Sequence, residues 1–193
     1  MAEIRSALEI AMEKAERLGR ASKEEMDAGQ WRDKGRRLAA QYLADEKADL
    51  ASMAQDQPPS SIHSVLEGAV EVLLRNISLP RDKHQWTTIR KALKGVIQLK
   101  GSMARQTTQQ IEQLLAQFEK TREHYHQQLK AQLQTRLGGV QQAVAQQYGA
   151  AAAARIDVDV LPEFQQEWSR LSAEITQQFE RQLIPLKNSL DRL

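Results

Sequence analysis

Glu123 and His126 stand three residues apart, the Glu-x-x-His half-motif from which di-iron four-helix bundles build their centres. Such a centre needs that motif twice, plus a Glu from each of two further helices. Neither His63 nor His84 has a Glu three residues before it, and only Glu112 and Glu119 lie near enough on the same stretch to add ligands. A solvated polar helix face accounts for these residues better than a metal centre does, so no metal ligand is assigned. Nucleophilic chemistry fares no better. No Gly-x-Ser-x-Gly elbow occurs, and there is no cysteine for thiol catalysis, disulfides or Cys-ligated zinc. Gly95 to Gly101 lacks the spacing and the Lys-Ser/Thr pair of a phosphate loop. The expectation is a non-enzymatic chain with no catalytic residue and no cofactor.

Charge supplies the one functional hint. The formal net charge of +2 conceals a basic middle: residues 58–105 carry +5, whereas residues 1–57 carry −2 and residues 156–193 carry −3. Arg81, Lys83, Arg90, Lys91 and Lys94 are the candidate residues for holding an anion or an acidic partner. If one helix spans them, Lys83, Arg90 and Lys94 share a face opposite Ile89, Leu93 and Val96. Three readings stand side by side: a solvated face, an acidic protein partner, and a nucleic-acid or anionic-lipid surface.

The elements that must position these groups are helical. Apolar residues between Ile111 and Tyr148 recur about every 3.7 residues, with Arg122 as one polar occupant of the stripe. The run from Ser102 to Tyr148 has no proline, and thirteen glutamines fill the polar positions of that stretch. As one helix it would be about 70 Å long at 1.5 Å per residue. A second stripe from Val160 to Leu193 repeats about every 3.67 residues, a spacing that suits nearly straight or slightly right-handed packing. The last helix is expected to start at Pro162, to fold back antiparallel on the long one, and to kink or end at Pro185. Gly138-Gly139 is the expected bend in the long helix. Ile156, Val158 and Val160 alternate, which permits a short extended piece.

Earlier in the chain, Ile4, Leu8, Met12, Ala15 and Leu18 mark a first helix, expected to stop at Gly19 before a capping box at Ser22 to Glu25. A second spans residues 24–55, with Trp31 as a packing anchor against a partner helix in preference to a ligand platform. Pro58-Pro59 sets the clearest boundary. Two helices then form a hairpin over residues 61–101, the second continuous with the long helix if Gly101 stays helical.

The opening Met-Ala-Glu-Ile-Arg-Ser-Ala-Leu-Glu-Ile resembles the start of small bacterial helical proteins of unknown function. The resemblance implies a bacterial cytoplasmic helical protein and no activity. Apolar residues make up 41% of the chain and aromatics 5%, enough for narrow helical seams but thin for a large globular core. There is no secretory h-region at the start and no membrane-length apolar stretch.

The fold class read from the sequence is all-α: an elongated helical bundle or antiparallel coiled-coil stalk with a small helical hairpin. Its domains are N-terminal helices (1–57), a basic αα-hairpin (58–101) and a long antiparallel helical stalk (102–193). The expected function is structural, scaffolding or protein interaction through long helices, as a homodimer or with a protein partner, in the cytoplasm. The alternative is association with nucleic acid or an anionic surface through residues 81–105.

Overall fold

The computed structural model describes residues 7–45, 47–148 and 158–193, without side-chain placement at 7–11, 13, 15–24, 140–145 and 148. The Ile4, Leu8, Ala15 and Leu18 members of the first stripe, the Ser22 cap and Ile156 therefore lie outside the described residues or side chains. The described chain is all-α: α1 (Ala7–Ala44), α2 (Leu50–Gln55), α3 (Ile62–Asn76), α4 (Gln85–Lys100), α5 (Met103–Tyr148), a 3₁₀ turn (Val158–Val160) and α6 (Pro162–Arg192). Packing divides it into two units. The first takes in the chain up to Ser78, His84–Arg105 and Leu193; the second takes in Leu79–Lys83 and Gln106–Arg192.

In the first unit α1 does not stop at Gly19; it runs as one helix for 38 residues. Good helix formers surround each glycine, and a single glycine costs only about 1 kcal/mol. The break comes instead at Asp45 to Asp49, dividing the expected 24–55 helix into α1 and α2. Asp49 caps α2, accepting from the Ala51 N–H at 3.3 Å and from the Ser52 hydroxyl at 2.8 Å. Pro58 and Pro59 end that helix, as their missing N–H groups require.

α1 and α3 cross with their backbones touching. A Cβ on Gly35 would lie 2.0 Å from the Val65 carbonyl oxygen, and one on Gly68 would lie 2.0 Å from that of Arg32. Only glycine fits at either point. Arg32 binds Glu67 at 2.7 Å and Arg36 binds Glu71 at 2.8 Å beside the crossing. Both pairs join residues 35 positions apart, so the two helices run in the same direction. These ion pairs are well exposed and contribute little, about 0–1 kcal/mol each; the glycine contact sets the geometry.

α4 completes this core with Ile89, Ala92, Leu93 and Val96, all buried. Gly95 leaves room for the Tyr42 ring and Leu73, and the Tyr42 hydroxyl donates to the Lys91 carbonyl at 3.1 Å. α1 and α2 thus share one core with the α3–α4 hairpin. At Gly101 the chain turns with φ +68°, so α4 and α5 are separate helices, not one continued through the glycine.

In the second unit α5 and α6 pack antiparallel. Phe118 meets Phe179 edge-on with centroids 5.4 Å apart, and further along α5 His126 meets Trp168 at 4.8 Å. Leu133 joins Val158 and Phe164 in a buried cluster. Numbers rise along one helix as they fall along the other. Two sequence expectations need correction here, the extended piece near Val158 and the stop at Pro185. Val158–Val160 is a 3₁₀ turn, not an extended piece. Helix α5 remains helical through Gly138-Gly139. Helix α6 starts at Pro162 but is not ended by Pro185, which is exposed while Leu183 and Leu190 on either side are buried.

Candidate functional site

The second unit holds an open groove of about 310 Å³. One wall is the Leu79–Lys83 segment, where Asn76-Ile77-Ser78-Leu79-Pro80 ends α3 and Pro80 is buried. The other walls come from α5 and α6. Arg122 donates from Nη1 to the Arg81 carbonyl at 3.0 Å, and its guanidinium sits 5.9 Å from the Trp168 ring centroid. His126 lies between Trp168 and Phe164, edge-on to both, with the Phe164 centroid 5.2 Å away. Its Nε2 is 3.9 Å from Asp159 Oδ1, while Lys130 forms a short ion pair with Asp159 Oδ2. Lys83, Glu119 and Glu123 also line the groove.

The sequence candidates divide between the two units. Arg81 and Lys83 line the groove. Arg90, Lys91 and Lys94 lie on α4 in the first unit. Because α4 begins at Gln85, Lys83 is not on a helical face with Arg90 and Lys94, and that expected alignment is corrected. Lys91 is already committed: its Nζ donates to the Asp45 carbonyl at 2.6 Å and stands 5.2 Å over the Tyr42 ring. Arg90 lies 5.2 Å over Trp86, and Lys94 is exposed. Trp31, expected as a packing anchor, is half-buried on α1 with Lys34 over its ring at 5.2 Å.

Glu119, Glu123 and His126 also come together at the groove, but among the described residues no group of three His, Cys, Asp or Glu is placed to hold a metal ion. Two residues of the site were not singled out by the sequence. Arg122 was visible as the one polar member of an apolar stripe, and such a residue faces inward only if something there needs its charge. Trp168 falls on the apolar stripe between Val160 and Leu193, where nothing in its spacing sets it apart from core. Tyr125, placed on the stripe by the sequence, is exposed, and His126 turns inward in its place.

Among the titrating groups of the packed helices, Tyr42 and Lys187 are displaced from their usual ranges by burial. Burial, helped by the Asp49 charge, pushes the Tyr42 hydroxyl up. Burial pushes the Lys187 ammonium down.

Residues 51–192 match a family of unknown function, DUF6657. The chain belongs to the DUF6657 family. The DUF6657 span opens inside α2 and contains the groove; α1 lies before it. It is not the N-terminal stretch that carries the family relationship. No curated protein and no solved structure matches the chain. No helix among the described residues is long and apolar enough to cross a membrane.

Proposed function

We propose that this protein is a non-enzymatic helical scaffold that associates through α1 with a second copy of itself. The observation that carries the reading is the state of α1 ahead of its crossing with α3. Among the described side chains from Met12 to Lys34 none is buried, and Met12 and Met26 are 65% and 64% exposed. These two methionines are about four turns apart at 3.6 residues per turn and so share one face. Residues 7–34 make a rod about 40 Å long at 1.5 Å per residue, a length suited to a helix–helix seam.

Charge favours a second copy as the occupant. Residues 1–57 carry 10 basic and 12 acidic side chains, interspersed. A strongly charged partner would meet like charges along such a face, whereas a copy of the same helix offers opposite charges in turn. On this reading the protein works in the cytoplasm, in keeping with its cysteine-free composition. The nucleic-acid alternative draws on Arg90 and Lys94 of α4, but it loses Lys91 to Tyr42 and Asp45, and Arg81 and Lys83 belong to the other unit. Sedimentation equilibrium of M12E/M26E tests the main reading. The variant is expected at the chain mass of 21.9 kDa, with the parent chain above it; equal masses would refute the seam.

A further inference from the structure

The groove of the second unit points to a second interaction, independent of association through α1. We infer that it takes an acidic peptide segment of a partner protein, one carboxylate seated on Arg122 and Lys83 and an adjoining apolar side chain against Trp168 and Pro80.

The inference begins with which charges are already used. Glu123 accepts from Gln127 at 2.7 Å, and Asp82 and Glu119 are both engaged in other interactions. The cations are not all so committed. Among the described residues Arg122 makes one hydrogen bond, through Nη1 to the Arg81 carbonyl, and that bond fixes the guanidinium without neutralising it. Lys83 is exposed and has no ion-pair partner among the described residues. A guanidinium with N–H groups to spare is suited to a carboxylate, which it can meet with two parallel bonds. The position of Arg122 over the indole of Trp168 holds its plane and shields one side from water.

Charge balance then separates a peptide from a nucleic acid. Arg81, Lys83 and Arg122 face Asp82, Glu119 and Glu123 around the same opening, so the formal charge is even. A run of phosphates needs a sustained positive surface, and these three carboxylates would repel it. A single carboxylate needs only local donors. The apolar wall of Trp168 and Pro80 adds contact area that a phosphate chain would not use but a Leu or Phe next to an acidic residue would.

The test follows the Trp168 indole N–H by nuclear magnetic resonance, assigned through W31F and W86F in the full chain. The probe is a pool of acetylated pentapeptides with central Glu or Asp and flanking positions drawn from Leu, Phe and Ala. The same pool with central Gln or Asn is the control, beside inorganic phosphate and an oligothymidylate. The acidic pool is expected to move the Trp168 signal at concentrations where the amide pool does not. K83A, on the exposed rim, and R122K should each weaken the effect about tenfold or more. The inference is overturned if the acidic pool gives no shift, if both pools act alike, or if K83A leaves binding unchanged. It is equally overturned if phosphate or the oligothymidylate moves the signal as strongly as the acidic pool, which would make the groove a general anion site.

Discussion

Placing one methyl group at the α1–α3 crossing should loosen the first unit, whereas the same change elsewhere should stabilise the chain. In Gly35→Ala or Gly68→Ala the new Cβ would meet a facing carbonyl oxygen at 2.0 Å. The closest ordinary carbon–oxygen approach is about 3.3 Å, so the helices must separate by roughly 1.3 Å. A gap of that size forfeits a quarter to a half or more of the dispersion between the facing surfaces, here Ala39, Val65 and Ala69, all buried. Overpacking costs about 1–3 kcal/mol, and with backbone as the obstacle the upper part of that range applies. Alanine returns about 1 kcal/mol of helix propensity. The net loss is about 2 kcal/mol, or a midpoint lower by about 4–8 °C for a chain of this size. Gly29→Ala and Gly139→Ala, where an added Cβ meets nothing within 4 Å, should instead gain about 1 kcal/mol each. G35A and G68A relieve the same contact, so the double variant should lose less than the sum. Thermal and urea unfolding followed by circular dichroism measure all five variants beside the parent. If G35A and G68A are as stable as the parent, the crossing is not backbone-tight and the reasoning fails.

Two pH-dependent outcomes follow from the displaced groups. Tyr42→Phe loses the bond to the Lys91 carbonyl and should cost about 1 kcal/mol near neutral pH. Because the folded state holds the Tyr42 proton above its ordinary 10.0, the parent loses stability as pH rises past that value. The deficit of Y42F should therefore narrow there; a constant deficit in urea titrations would argue against a buried phenol. Lys187→Met removes an ammonium that burial disfavours, so it should raise the midpoint at neutral pH. The gain should fade as pH rises from the depressed folded value toward 10.5, since the unfolded chain binds the extra proton only in that window. Thermal midpoints of K187M that fall below those of the parent at neutral pH would contradict this.

Much of the helical organisation was legible because it follows from periodicity and from residues with few options. The α5 and α6 stripes, the helix end ahead of Pro58-Pro59 and the Pro162 start all rest on local chemistry. Where the sequence misled, tertiary packing or helix cooperativity outweighed a local signal. Gly19 and Pro185 look like stops, but each interrupts only one position of a long run of good helix formers. Gly35 reads as a weakness in a helix until its partner is known, since nothing local says that Val65 and Ala69 will approach it from 30 or more residues away. The groove was half legible for the same reason. Arg81 and Lys83 announced themselves as charge, but Trp168 joins them only through the return of α6. The grouping of Arg81 and Lys83 with Arg90, Lys91 and Lys94 came from nearness in sequence, which the start of α4 at Gln85 breaks.

The most direct test of the proposed scaffold is the solution mass of the full chain, measured by multi-angle light scattering at micromolar concentration. Association through the face of α1 that carries Met12 and Met26 predicts a mass twice the 21.9 kDa of one chain. A mass of 21.9 kDa that does not change with concentration would contradict it.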